Sequence, residues 1–489
     1  MAELIPLQNS INVNTFSDCT YYGLESCLCS IDIKLTAPLY EANGELRSPI
    51  DLVAVIDRSG SMSGEKLNLV IKVLRFVAKH LKSVDRLAIV TYDDNIHELV
   101  SLAYVTQTNR IQFDAKISNI CSGGSTNLSG GLIKGMNIMN RREMKKADVA
   151  SVLLFTDGLA NCGITNTNDI LTAMQNIFAG KKDFTVNTFG FGSDHNAYML
   201  EEISRVGNGL YYFIQKTEQI PEIFTNCLGG LLSTVGQDIS ISIETSNGAT
   251  IKAIFSKENP SLSNGNKKGV VGMGDLQSEE ERDILVELNL PTAKNTTSSY
   301  TYANVTLEYF NVIKKYNDHH QREVVIERQS DLSTQKLSLE VDEQRNRIQT
   351  IDSLKRAAVL VNEGKLDDAY KEIASLKKSI RSSRSNFTRL VTSLDDDLDT
   401  LLKSLTSKDL SSSIIASLTS SHAEQRSTMT LSYRTSRRES IHVEFENSQI
   451  ISSPGALSEI PVRLATSIPV SYPALNGILR RNPKSTNEP

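Results

Sequence analysis

No stretch of this sequence stays apolar for long. The longest apolar runs, such as Ser151 to Phe155, are strand-length, and a bilayer-spanning helix needs about 20 apolar residues, so no membrane insertion is expected. Neither charge is in excess: 52 Lys and Arg stand against 57 Asp and Glu in 489 residues, a formal −5. That balance is expected neither of a nucleic-acid coat nor of a polybasic membrane surface. The opening residues, Met1-Ala2-Glu3-Leu4-Ile5-Pro6, show no basic region followed by an apolar stretch, so no secretory signal is expected.

Cysteine is scarce and lopsided. Cys19, Cys27, Cys29, Cys121, Cys162 and Cys227 all fall in the first half. No paired C-x-x-C occurs, and Cys27-x-Cys29 is not a zinc-knuckle spacing. Reduced, mostly structural thiols and a cytoplasmic location follow as expectations. The sequons at Asn127, Asn295, Asn304 and Asn386 carry no weight without secretion.

Signatures of catalysis are thin as well. There is no G-x-x-x-x-G-K-[ST], and Gly190-Phe-Gly192 lacks the third glycine of a dinucleotide fingerprint. Ser63-Gly-Glu-Lys66 matches S-x-x-K without its companion motifs, and Lys66 is expected as a solvated helix residue. His319-His320 falls in a polar stretch, Lys315 to Gln321, that reads as a loop with exposed imidazoles.

What is present begins at Ile50. From there to about Ser233 apolar strands alternate with amphipathic stretches. Strands are expected at Leu52 to Asp57, Arg86 to Tyr92, Ala150 to Thr156, Phe184 to Phe191 and Gly209 to Ile214. Helices are expected at Glu65 to Lys82, Leu128 to Asn140, Asn168 to Phe178, Ala197 to Val206 and Thr217 to Ser233. This pattern predicts a doubly wound α/β domain over 49–235, Rossmann-like, with helices on both faces of a mainly parallel sheet.

Either side of it the period drops to two. Cys29-Ser-Ile31-Asp-Ile33-Lys-Leu35, Ile239-Ser-Ile241-Ser-Ile243 and Ile284-Leu-Val286-Glu-Leu288 alternate, which predicts an antiparallel β-sandwich over 236–343. Residues 1–48 are too few for a domain of their own. They are expected to pair with the later strands, so that the α/β domain is inserted into a discontinuous sandwich. A helical module follows over 344–410, broken at Asn362-Glu363-Gly364-Lys365. A third helix is expected there at Asn386 to Leu405. Segment 411–445 is expected to return to the body, with strands at Thr430 to Tyr433 and Ile441 to Phe445. A flexible tail, rich in Ser, Pro and Asn, is expected over 446–489.

The chemistry concentrates at the ends of the parallel strands, where binding crevices of such sheets form. Asp57-x-Ser59-x-Ser61 follows the first strand. Ser122-Gly-Gly-Ser-Thr126-Asn127 is a glycine-rich loop before a helix, and Phe155-Thr156-Asp157-Gly158 ends a strand on a carboxylate. Asp57, Ser59, Ser61, Thr126 and Asp157 together offer hard oxygen ligands. These suit Mg²⁺ or Mn²⁺, with Ca²⁺ possible, and leave at least one of about six octahedral positions open.

This set resembles the metal-ion-dependent adhesion site (MIDAS) of the von Willebrand factor type A family, with D-x-S-x-S, T and D in family order over roughly residues 49–235. The resemblance implies direct ligation by Ser59, Ser61 and Thr126, with Asp57 and Asp157 acting directly or through water. The wider chain is similar to family members carrying a flanking β region and a helical module called Vwaint. That similarity rests on Gly274-Asp275-Leu276-Gln277, Arg282-Asp283-Ile284-Leu285-Val286 and His422-Ala-Glu-Gln425-Arg426-Ser427. Some relatives add a self-splicing Hint domain or a RING ubiquitin-ligase domain. No cysteine follows Cys227, so neither is expected in this sequence.

The expected function is non-enzymatic. A bound cation, its shell completed by an acidic side chain of a protein partner, would make this a recognition or adhesion protein. Two other readings remain. In one, the chain is a scaffold subunit whose metal only stabilises loops. In the other, it is a metal-dependent hydrolase with Asp94 or His97 as base.

Overall fold

Period-two alternation governs the first described strands. The computed structural model describes residues 9–40, 47–142, 149–180, 183–192, 195–256, 260–293, 298–407 and 411–426. Beyond these it describes Tyr433, Thr435, Ser440, Ile441 and residues 443–445. The expected tail, 446–489, lies outside the described residues, as do Thr430, Leu431 and Ser432. Strand β1 (Asn12–Ser17) pairs antiparallel with β3 (Cys27–Thr36), and β2 (Tyr21–Tyr22) lies between them in sequence. In β3, Cys29, Ile31, Ile33 and Leu35 point into an apolar core, leaving Ser30, Asp32 and Lys34 on the other face.

The α/β unit comes next. It comprises β4 (Ile50–Asp57), α1 (Glu65–His80), β5 (Arg86–Tyr92), β6 (Ile96–Tyr104), α2 (Gln107–Ser118) and α3 (Leu128–Asn140). It continues through β7 (Val149–Thr156), α4 (Thr167–Phe178), β8 (Thr185–Phe191), α5 (Ala197–Val206), β9 (Tyr211–Ile214) and α6 (Ile220–Leu231). The sheet order is β6-β5-β4-β7-β8-β9, parallel except for β6 at one edge. Strand β4 is buried on both faces. Leu52, Ala54 and Ile56 pack toward α1 and α6, while Val53 and Val55 pack toward Leu132 and Met136 of α3. The order reverses direction between β4 and β7, which opens a crevice at their carboxyl ends.

The sandwich resumes with β10 (Thr234–Thr245), β11 (Thr250–Phe255), β12 (Ser261–Ser263), β13 (Lys268–Gln277), β14 (Glu281–Leu290), β15 (Ser298–Asn311) and β16 (Tyr316–Arg328). One sheet runs β1-β3-β14-β11 and the other β12-β13-β10-β15-β16-β2. The early strands thus pair with the late ones, and the α/β unit is inserted between β3 and β10. His319 and His320 lie within β16, not in a loop. The turn falls earlier, at Lys315 with φ 62°. The sequence conceals this strand because its first half is polar and draws its order from pairing with β15.

Helices α7 (Leu339–Asn362), α8 (Leu366–Arg381), α9 (Arg389–Ser407) and α10 (Ser411–Glu424) form a bundle with an aliphatic core. Gly364, at φ 76°, turns the chain between α7 and α8. Periodicity predicts no helix after Leu405. Yet α10 packs on α7, on α5 and along the open edge of β9, where Ser420 Oγ accepts the Tyr211 N–H at 3.3 Å. Its buried face is made of Ser413, Ser417 and Ser420 as well as Ile415 and Leu418. Small hydroxyl side chains allow close approach but leave no apolar stripe to read. Ser440, Ile441 and residues 443–445 are helical rather than a strand, and Phe445 packs edge-on against Phe76 of α1 at 4.8 Å.

The three segments that carried the wider resemblance meet at one joint between sandwich and bundle. The Gln425 side chain accepts the Asp283 N–H at 2.9 Å and donates to the Asp283 carbonyl at 2.7 Å, as a neighbouring strand would. Arg347 of α7 donates to the Asp283 and His422 carbonyls, both at 3.1 Å. Their role at this joint is structural.

Candidate metal centre

The centre is built from loops that leave β4 and β7 at the crevice. Asp57, the last residue of β4, is fully buried. Its Oδ1 accepts the Ser59 N–H at 2.8 Å, and its Oδ2 accepts the Thr156 hydroxyl at 2.7 Å. The chain then tightens into a 3-10 turn, Gly60–Met62, which brings Ser61 Oγ to 3.1 Å from Ser59 Oγ. Ser61 donates to Asp157 Oδ1 at 2.7 Å, linking the first loop to the end of β7.

Thr126 enters from the glycine-rich loop. Gly123 N–H donates to the Arg58 carbonyl at 2.7 Å and Gly60 N–H to the Gly124 carbonyl at 3.2 Å, so two loops are laced together. Gly124 sits at φ 77°, a left-handed conformation that favours glycine. Asn161 Oδ1 accepts the Thr126 N–H at 2.8 Å, tying in the third loop. Gly158 completes the cradle. A Cβ there would lie 3.6 Å from both Ser61 Oγ and Thr126 Oγ1, so the two hydroxyls flank one point. All five residues expected from the sequence are therefore drawn to one end of the sheet.

Burial dominates the electrostatics of the cluster. Burial pushes the Asp57 carboxyl above its ordinary value. The hydroxyls of Thr156 and Ser59 and the Ser59 N–H pull it back, and the charge of Asp157 adds to the rise. Tyr92, buried beside it, is pushed well up by the same loss of water. Among the described residues no three His, Cys, Asp or Glu side chains group to hold an ion. The oxygens here are two carboxylates and three hydroxyls. Neighbouring ligands around an octahedral Mg²⁺ lie about 3 Å apart, given bonds of about 2.1 Å. The Ser59–Ser61 and Ser61–Asp157 spacings, 3.1 and 2.7 Å, fit that geometry.

Several neighbours carry no signal in the sequence. Thr156 holds Asp57, Asn161 holds the Thr126 backbone, and Arg58 pairs with Asp93 at 2.6 Å. Lys66 corrects the expectation of a solvated helix residue, because its Nζ lies 2.5 Å from Asp157 Oδ2. Only spatial proximity reveals these roles. Asp94 and His97 are exposed, at the β5–β6 turn and on edge strand β6.

Comparison with known proteins agrees with this architecture. The sequence model of the von Willebrand factor type A domain matches residues 51–226. The chain is 29% identical over 297 residues to the E3 ubiquitin-protein ligase WAV3 of Arabidopsis thaliana, covering 58% of this chain and 37% of that protein. It is also 29% identical over 262 residues to the uncharacterized protein YfbK of Escherichia coli, covering 52% of this chain and 44% of that one. The chain thus spans less than half the length of these curated relatives. Among solved structures, a von Willebrand factor type A protein from Catenulispora acidiphila superimposes with a TM-score of 0.63. The match covers 88% of this chain and all of that one at 15% identity, a likeness of fold that extends beyond the α/β unit. Residues 51–226 thus match the von Willebrand factor type A domain, and their sheet order and loops at the β4–β7 crevice agree with that match.

Proposed function

We propose that the α/β unit binds Mg²⁺ or Mn²⁺ at Asp57, Ser59, Ser61, Thr126 and Asp157 and uses it to bind an acidic side chain of a protein partner. The observation that carries this reading is the cluster itself. Hydroxyl and carboxylate oxygens converge where the sheet order reverses, with Asp57, Ser59, Thr126 and Asp157 buried and Ser61 exposed. The ion would supply an electrophile for an incoming carboxylate. This chain's residues would hold it from below and leave its outer face to the partner. The family match supports protein recognition in general.

A recognition role without catalysis is part of the proposal. The ligase named among the relatives is aligned over 37% of its length, and its activity is not carried over. No helix among the described residues is long and apolar enough to cross a membrane. A reducing compartment such as the cytoplasm suits Cys19, Cys27, Cys29, Cys121 and Cys162, which are free thiols.

The test is partner capture from native lysate in Mg²⁺ and in EDTA. Capture is expected to be lost in EDTA, restored by Mg²⁺ or Mn²⁺, and abolished by Asp57→Ala or Thr126→Ala. Capture of undiminished affinity in EDTA overturns the proposal. If chelation lowers the melting temperature while affinity holds, the ion only stabilises loops.

A further inference from the structure

Lys66 is the second residue of α1, and helical side chains tilt toward the N-terminus. The helix therefore aims Lys66 back into the loop that precedes it. Its Nζ meets Asp157 Oδ2 at 2.5 Å, while Ser61 occupies Asp157 Oδ1 at 2.7 Å. A cation in the first turn works against the helix dipole, and ordering a lysine costs side-chain entropy. Water is also within reach, since the Lys66 side chain is 31% exposed while that of Asp157 is 0% exposed. Among the described residues, Lys66 is the cationic side chain that touches one of the five oxygen-bearing residues of the centre.

We infer that Lys66 is a resident counter-ion of the metal centre, one that weakens the metal alone and favours the metal together with a carboxylate. The inference rests on the metal-site reading above. Asp57 and Asp157 carry two negative charges, which a divalent ion alone would balance. With Lys66 in place the loaded centre carries one surplus positive charge, and an anion from a partner neutralises it. Like charges close together in a partly desolvated site repel strongly, so Lys66 opposes loading until the anion arrives. Metal and carboxylate then bind cooperatively, and by linkage each raises the affinity of the other by the same factor.

The test uses the full chain and Mn²⁺, with free ion read by electron paramagnetic resonance in chloride and in acetate of equal ionic strength. Lys66→Met is expected to bind Mn²⁺ at least tenfold more tightly than the wild type in chloride. Lys66→Arg, which keeps the charge, is expected to match the wild type. Acetate should tighten Mn²⁺ on the wild type and do so several-fold less on Lys66→Met. Equal or weaker Mn²⁺ binding by Lys66→Met, or an equal acetate effect on both, overturns the inference while leaving the metal site intact. If wild type and Asp57→Ala bind Mn²⁺ alike, the metal site itself fails and this inference with it. Lys66→Gln, compared in the same way, covers the case in which Lys66→Met does not fold.

Discussion

Arg426 grips Glu280 with two parallel hydrogen bonds, Nε to Oε1 at 2.7 Å and Nη2 to Oε2 at 2.8 Å, and the same Nη2 donates to the Asp275 carbonyl at 2.6 Å. Arg426 follows α10, Glu280 precedes β14, and both side chains are buried. The pair therefore fastens the helical bundle to the sandwich. Removing Arg426 takes the bidentate counter-ion from a buried Glu280, which keeps the Gln277 N–H at 2.9 Å and the more distant Arg282 at 3.7 Å. Arg426→Ala is expected to cost about 3–5 kcal/mol in urea denaturation. Replacing both partners with Met and Leu should recover only part of that loss, because buried Asp275 then lacks the charge of Arg426 and buried Arg282 that of Glu280.

Asp32 and Asp283 set a pH dependence at the same joint. Asp32 is buried on the outer face of β3, and burial pushes its carboxyl well above the usual range. The charge of Asp283 adds to this, and Arg347 opposes it. Asp283 is raised too, again chiefly by burial, with Lys34 and Arg347 opposing. The native state thus keeps a proton that the unfolded chain releases above its carboxylate pKa of about 3.9. A raised folded pKa gives stability that is fully present below the unfolded value and lost as pH rises through the folded one. Unfolding free energies from urea denaturation at pH 4 upward should fall with pH, by up to about 1.4 kcal/mol per unit for each retained proton. Asp32→Asn should flatten that slope.

Helix α3 lies unusually close to the sheet. A Cβ at Gly135 would stand 2.4 Å from Val55 Cγ2, and one at Gly131 would stand 2.4 Å from the Tyr92 ring. Gly135→Ala is expected to cost about 1–3 kcal/mol through overpacking. The displaced helix would carry its N-cap, Asn127, and the adjoining Thr126 with it. Calorimetry with Mn²⁺ should therefore show affinity falling along with stability. Val55→Ala in the same chain should restore part of both.

Thr156 is the hydroxyl that keeps Asp57 oriented. Thr156→Val has nearly the same shape but removes a donor from a buried carboxylate, at a cost of about 1–3 kcal/mol. Thermal melts in EDTA should show this loss before any metal is present, and Thr156→Ser should retain most of the stability.

The fold was legible wherever burial leaves a period. Strand β5 and helices α3 and α5 fall on the residues that the apolar pattern predicts, because β5 is apolar on both faces and each helix presents a continuous face to one core. Strand β6 and helix α2 escape that pattern. The first is an exposed edge, and the second buries only Phe113 and Ile117. Helix α10 escapes because serine packs it. The oxygen cluster was legible because its residues recur in a fixed order at strand ends. Lys66 was not, since a lysine at the start of a helix looks like any other until the fold brings Asp157 beside it.

The way the α/β unit is mounted has a mechanical consequence. The chain leaves from β3, which is flanked on both sides by β1 and β14, and returns into β10, flanked by β13 and β15 in the opposite sheet. Tension applied at the ends of the parallel strands is therefore divided between two interior strands in two different layers. Each has a paired neighbour on either side, so neither is an edge strand. A grip taken above Asp57 would be anchored as a pin is in a fork, with the sandwich core as the closed end.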